Sequence, residues 1–147
     1  MKVLILDSGV LINLSLNGLL NVIPELKKAT GVRFAITGDV KFETVDRPIG
    51  VPRFEFGALQ ILGLIKNKDV EMPEEFGVAR TELETLRNKI IQSANHSLKS
   101  RDRWIQIVSN AEVSCLALSQ ILSEKGIETI SGIDERTTRL LSEKPEN

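Results

Sequence analysis

The sequence predicts an α/β domain, a parallel β-sheet with helices on both of its faces. Three observations predict it. Short runs rich in Val, Ile and Leu alternate with longer helical stretches, the order expected of strand–crossover–strand units. The strongest run, residues 2–6, is apolar without a break after Lys2 rather than alternating, as in a strand covered on both sides. The chain of 147 residues is 41% apolar and 27% charged, enough to fill one core and short for two.

The elements follow in order. Residues 2–6 form the first strand, broken by Asp7-Ser8-Gly9. Apolar residues from Val10 to Ile23 then recur at helical spacing, and Pro24 starts a second short helix to Lys28. Residues 32–36 are the second strand, followed by Thr37-Gly38-Asp39 and a short helix carrying Val40, Phe42, Glu43 and Val45. Two prolines and a glycine make 46–52 a loop. Residues 54–66 read as a helix with Phe56, Leu59, Leu62 and Ile65 on one face, and 70–72 as a short strand. A long charged amphipathic helix, or a pair, runs from Glu74 to about Leu98. Ser109 opens a clear helix that Gly126 ends, residues 127–131 are the last strand and 135–141 the last helix. One domain over residues 1–141 is expected, with a frayed polar tail at 142–147.

Composition narrows the chemistry. No apolar run approaches the ~20 residues that span a bilayer, and the first strand meets Asp7 without a small-residue cleavage site, so no membrane association and a cytoplasmic protein are expected. One cysteine and one histidine, His96, exclude an internal disulfide and Cys-built or His-pair metal sites. If the protein is an enzyme, carboxylates are expected to carry the chemistry. The net charge of −1 gives no global attraction to nucleic acid, although Arg87, Lys89, Lys99, Arg101 and Arg103 make one stretch locally basic.

Ligands of open parallel sheets bind beyond the carboxyl ends of the strands. Asp7 follows the first strand, Glu43 lies one turn into the helix after the second, and Asp134 follows the last. Glu112 joins them if residues 104–108 reach the same edge. Each acid also has an ordinary structural role: Asp7 and Asp134 as N-caps, Glu43 as a solvated helix residue, and Glu112 as the second half of a Ser109-x-x-Glu112 capping box. Four such acids on one edge would crowd like charges unless cations neutralised them, and oxygen ligands alone select Mg²⁺ or Mn²⁺.

Four blocks then carry a family resemblance. Ile5-Leu6-Asp7-Ser8-Gly9-Val10-Leu11-Ile12, Val40-x-x-Glu43, Asn110-Ala111-Glu112-Val113-Ser114-Cys115-Leu116-Ala117-Leu118 and Gly132-Ile133-Asp134-Glu135-Arg136 resemble, in order and spacing, the PIN-domain family of metal-dependent ribonucleases. The first and third blocks are the more specific. The resemblance implies a three-layer α/β/α sandwich whose central, mostly parallel sheet carries an acidic pocket. It implies Mg or Mn held by Asp7, Glu43, Glu112 and Asp134 as the catalytic and metal set, with Ser8 and Glu135 in support. It further implies hydrolysis of RNA phosphodiesters, as the toxin of a toxin–antitoxin pair or as an RNA-processing enzyme, with a homodimer and an antitoxin protein as partners. Glu112 stands where the family frequently has Asp, and Gly132-Ile133 precede Asp134 where Thr is frequent.

The alternative is a PIN-like domain without turnover, serving as a scaffold or RNA-binding protein. With RNA as substrate, Arg87, Lys89, Lys99, Arg101 and Arg103 become candidate phosphate contacts, Lys99, Arg101 and Arg103 above all. Trp104 reads as a half-buried anchor rather than a base-stacking residue, and Cys115, among Val113, Leu116 and Leu118, as a buried thiol. A receiver-type phosphoacceptor lacks its second acid, since Ser8 follows Asp7, and no phosphate-binding glycine loop is present.

Overall fold

The computed structural model describes residues 1–97 and 109–132. Four parallel strands form one sheet: β1 (Lys2–Leu6), β2 (Arg33–Ala35), β3 (Val70–Glu71) and β4 (Glu128–Gly132), in the order β3-β2-β1-β4. Ile5 lies opposite Ala35 on one side and Ser131 on the other, and Leu6 opposite Gly132. The carboxyl ends of the two central strands and of β4 therefore sit level on one edge. Val3, Ile5 and Leu6 are buried and Leu4 half-buried, so β1 is covered on both faces, as its unbroken apolar run predicts.

Six α-helices are described: α1 (Ser8–Leu16), α2 (Val22–Thr30), α3 (Gly38–Lys41), α4 (Pro52–Lys66), α5 (Arg80–Ser97) and α6 (Asn110–Glu124). A π-helical turn (Phe42–Asp46) continues α3, and 3-10 turns cover Pro48–Gly50 and Pro73–Phe76. One buried core runs through these elements, from Val3 and Ile5 through Phe34, Ile61 and Val70 to Leu118 and Leu122. Truncating one such side chain to Ala costs about 2–5 kcal/mol. Among the described residues, no helix is long and apolar enough to cross a membrane.

Several elements differ from expectation, each for a local reason. The first helix stops at Leu16 because Gly18 takes a left-handed φ of 66°, and Pro24 lies in the first turn of α2, where no helical N–H is needed. The helix α4 begins two residues early, with Pro52 in its first turn. Its buried stripe is Ala58 and Ile61, with Leu62 and Ile65 half-buried, whereas Phe56 is 74% and Leu59 47% exposed. The cause is a close crossing with α1: a Cβ on Gly57 would stand 2.4 Å from Ser15 Oγ, so α4 turns its smallest residues toward that neighbour. The long charged helix starts only at Arg80, because Gly77 (φ 77°) closes the preceding 3-10 turn.

Candidate active site

Asp7 is the first residue after β1 and only 2% exposed. Its Oδ1 accepts the Val10 N–H at 3.0 Å, capping α1 as the sequence suggests and fixing the carboxylate at the sheet edge. Next to it, the Ser8 hydroxyl oxygen is buried. It falls short of a hydrogen bond of normal geometry, yet lies near enough to Glu43 to favour that side chain's charged form.

Glu43 sits in the π-helical turn, which the Arg47 N–H closes on the Phe42 carbonyl at 2.9 Å. Such turns are uncommon and recur at functional sites. Burial pushes the Glu43 carboxyl above its ordinary range, and the charges of Glu112 and Asp39 push the same way. Arg47, with the Ser8 hydroxyl, opposes the rise.

Glu112 lies in the first turn of α6. Its Oε2 accepts the Ser109 N–H at 3.0 Å while Ser109 Oγ accepts the Glu112 N–H at 3.2 Å, the capping box that the sequence predicts. The same residue is close enough to Glu43 to raise its carboxyl, so the start of α6 does reach the edge that carries Asp7 and Glu43. A buried hydroxyl relay holds it there. The Val40 N–H donates to Thr37 Oγ1 (3.2 Å), and Thr37 Oγ1 lies 2.6 Å from Ser114 Oγ. Ser114 in turn donates to the Ala111 carbonyl (2.6 Å), which can only accept, so Thr37 is the donor to Ser114. The relay joins the end of β2 to the first turn of α6. Beneath it, Cys115 is buried against the Leu6 carbonyl (3.8 Å). Burial, with Asp7, Glu112 and Asp39 nearby, drives its thiol far above the ordinary range. One thiol thus senses three acids from three separate elements.

Asp39, in the first turn of α3, is the acid that sequence reasoning passed over. Its signal was present, since Thr37-Gly38-Asp39 follows the second strand as Asp7 follows the first. Asp39 Oδ2 accepts from Arg87 Nη1 at 2.7 Å, which corrects the expectation for Arg87: this half-buried guanidinium is matched by a carboxylate rather than open to phosphate. Asp134 and Glu135, the proposed phosphate contacts Lys99, Arg101 and Arg103, and Trp104 lie outside the described residues.

The donor set at this edge is oxygen throughout, the type that suits Mg²⁺ or Mn²⁺. Among the described residues, no group of three His, Cys, Asp or Glu side chains is placed to hold a metal ion. No protein-family model, no curated protein and no solved structure matches the chain.

Proposed function

We propose that the chain is a PIN-type ribonuclease that hydrolyses RNA phosphodiesters with Mg or Mn at the acidic sheet edge. The observation that carries this reading is the half-buried Glu43, whose carboxyl is raised by burial and by the charges of Glu112 and Asp39, on the edge where Asp7 is buried. Like charges gathered there repel one another, whatever each acid does for its own helix, and a cation relieves that repulsion. The reaction class rests on the motif resemblance. The three-layer sandwich is part of the same proposal: α1 packs on α4 and α5 on α6, and right-handed crossovers put the two pairs on opposite faces of the sheet.

Asp7, Glu43 and Asp134 would hold the ion, with Glu112 and Asp39 adding negative charge around it. When bound, such an ion makes water a better nucleophile and neutralises charge that develops on the phosphate. The chain's own contribution is positional and protonic. The Val10 N–H holds Asp7 in one orientation, and the thiol and hydroxyls beneath the edge keep α6 against β1. Burial raises the Glu43 carboxyl, so an ion held there would compete with a proton more than at an ordinary glutamate.

One observation favours the non-catalytic alternative, a scaffold or RNA-binding domain: Glu112 already has a complete structural role in its capping box. Incubating labelled RNA with Mn²⁺ separates the two readings. The nuclease reading expects cleavage by the wild type that chelator and Asp7→Asn both abolish. Asn caps a helix about as well as Asp, so this loss reports the charge and not the fold. RNA bound but left intact by the wild type, or cut equally by Asp7→Asn, overturns the nuclease reading.

A further inference from the structure

We propose that residues 42–54 form a stacking platform for single-stranded nucleic acid, built from two arginine–phenylalanine pairs beside the acidic edge. The inference deepens the nuclease reading and rests on it for the role of the bound strand, but the binding it describes needs neither metal nor cleavage.

Phe42 is 52% and Phe54 44% exposed, two large rings left outside the core on a short stretch of chain. Each carries a guanidinium. Arg47 lies 5.6 Å from the centre of the Phe42 ring and Arg53 5.3 Å from that of Phe54. Nearby cations are matched differently, with Lys41 on Asp46 at 3.2 Å, Arg80 on Glu84 at 3.0 Å and Arg87 on Asp39 at 2.7 Å. Among the described residues, neither Arg47 nor Arg53 has a carboxylate within ion-pair distance.

The combination selects a polyanion that carries flat apolar groups. A base stacks on a phenyl ring or on a guanidinium plane, and an arginine with no carboxylate at ion-pair distance can contact the adjoining phosphate. In a duplex the base faces are already stacked, so the platform discriminates for single strands. Its position suits delivery to the acids. Phe42 precedes Glu43 in the same π-helical turn, and Arg47 is near enough to Glu43 to favour its charged form. Phe42 also lines a cleft of about 470 Å³, where Asp39, Asp46, Glu74 and Glu84 face Lys41, Arg80 and Arg87. The 3-10 turn at Pro48–Gly50 packs against both the π-helical turn and α4, the two elements that bear the rings.

The test is fluorescence anisotropy of a labelled oligouridine, in chelator, with the strand single or annealed to oligoadenosine. The wild type is expected to bind the single strand in preference to the duplex. Phe42→Ala and Phe54→Ala are each expected to weaken binding about five-fold or more, while Phe42→Tyr, which keeps the ring, retains it. Arg47→Gln is expected to weaken binding and flatten its salt dependence. Both rings are exposed, so the melting temperatures of the variants are expected to stay with the wild type.

No binding by the wild type, equal binding of duplex, or unaltered binding by both alanine variants overturns the platform. So does loss of self-association on size exclusion with RNA binding intact, which assigns the rings to contact between copies of the chain. Failures of the two readings look different. Wild-type cleavage with alanine variants that bind normally removes the platform and leaves the nuclease. Ring-dependent binding without cleavage removes the nuclease and leaves the platform.

Discussion

Replacing Glu112 by Gln and, separately, by Ala divides the two roles this residue holds. The carboxylate accepts the Ser109 N–H at 3.0 Å and places negative charge at the N-terminus of α6, near Glu43. Gln keeps an acceptor oxygen at the same reach and loses only the charge, whereas Ala loses both. The charge at a helix N-terminus contributes about 0.3–1 kcal/mol and the hydrogen bond about 1 kcal/mol. Glu112→Ala is therefore expected to be about 1 kcal/mol less stable than Glu112→Gln, roughly 3 °C in melting temperature for a chain of this size.

Acidity adds a second signature. The folded state disfavours charged Glu43, so wild-type stability declines as pH rises from Glu43's ordinary value of 4.5 through its raised folded value, and levels off above. Removing the Glu112 charge makes that decline shallower without abolishing it, because burial is the larger cause. Urea midpoints measured from about pH 4 to 8 should show Glu112→Gln gaining on the wild type across that window. If the Gln variant is as unstable as Ala at every pH, or tracks the wild type in parallel, the reasoning fails: Glu112 is then either more than an acceptor in its box or unfelt by Glu43.

Other expectations follow from the same structure. Arg33 donates to both carboxylate oxygens of Glu71 (2.8 and 2.6 Å), which is only 8% exposed, so Arg33→Met should cost about 3 kcal/mol at neutral pH in urea unfolding. Because Arg33 holds the Glu71 carboxyl below its ordinary 4.5, that stabilisation is present above pH 4.5 and lost as pH falls through the lowered value. The variant should be correspondingly insensitive there. Gly57→Ala drives a methyl to 2.4 Å from Ser15 Oγ and should lose about 1–3 kcal/mol. Adding Ser15→Ala should reverse that loss and expose the roughly 1 kcal/mol gained from the better helix former, and a double variant as unstable as the single one would refute the contact. Cys115, fully buried with its thiol pushed up, should resist thiol reagents in the folded protein and react only on unfolding. Rapid labelling without denaturant would contradict its place beneath the acids.

The legible features were those written in local chemistry. The apolar run at 2–6, the Ser109-x-x-Glu112 box and the Asp7 cap each depend on residues within a few positions, and the structure has all three. The buried face of α4 is not legible in the sequence, because Phe56 and Leu59 fit the helical period as well as Ala58 and Ile61 do. A glycine crossing Ser15, 42 positions away, decides between them. Arg87 read as an available cation because its partner, Asp39, lies 48 residues earlier. The π-helical turn under Glu43 has no composition signal, and Asp39 is set back from its strand by a capping threonine, which hides it from a search for acids directly after strands.

The most direct measurement is the melting temperature of the wild type and of Asp7→Asn with millimolar Mn²⁺ or Mg²⁺. An ion bound only by the folded protein adds about 2.7 kcal/mol at a hundredfold excess over its dissociation constant, roughly 5–10 °C here. The wild type is expected to shift by that order, while Asp7→Asn, stable in the absence of metal, does not. Identical melting curves with and without the ion, or an equal shift in both proteins, would mean that the carboxylates at this sheet edge do not form a divalent-ion site.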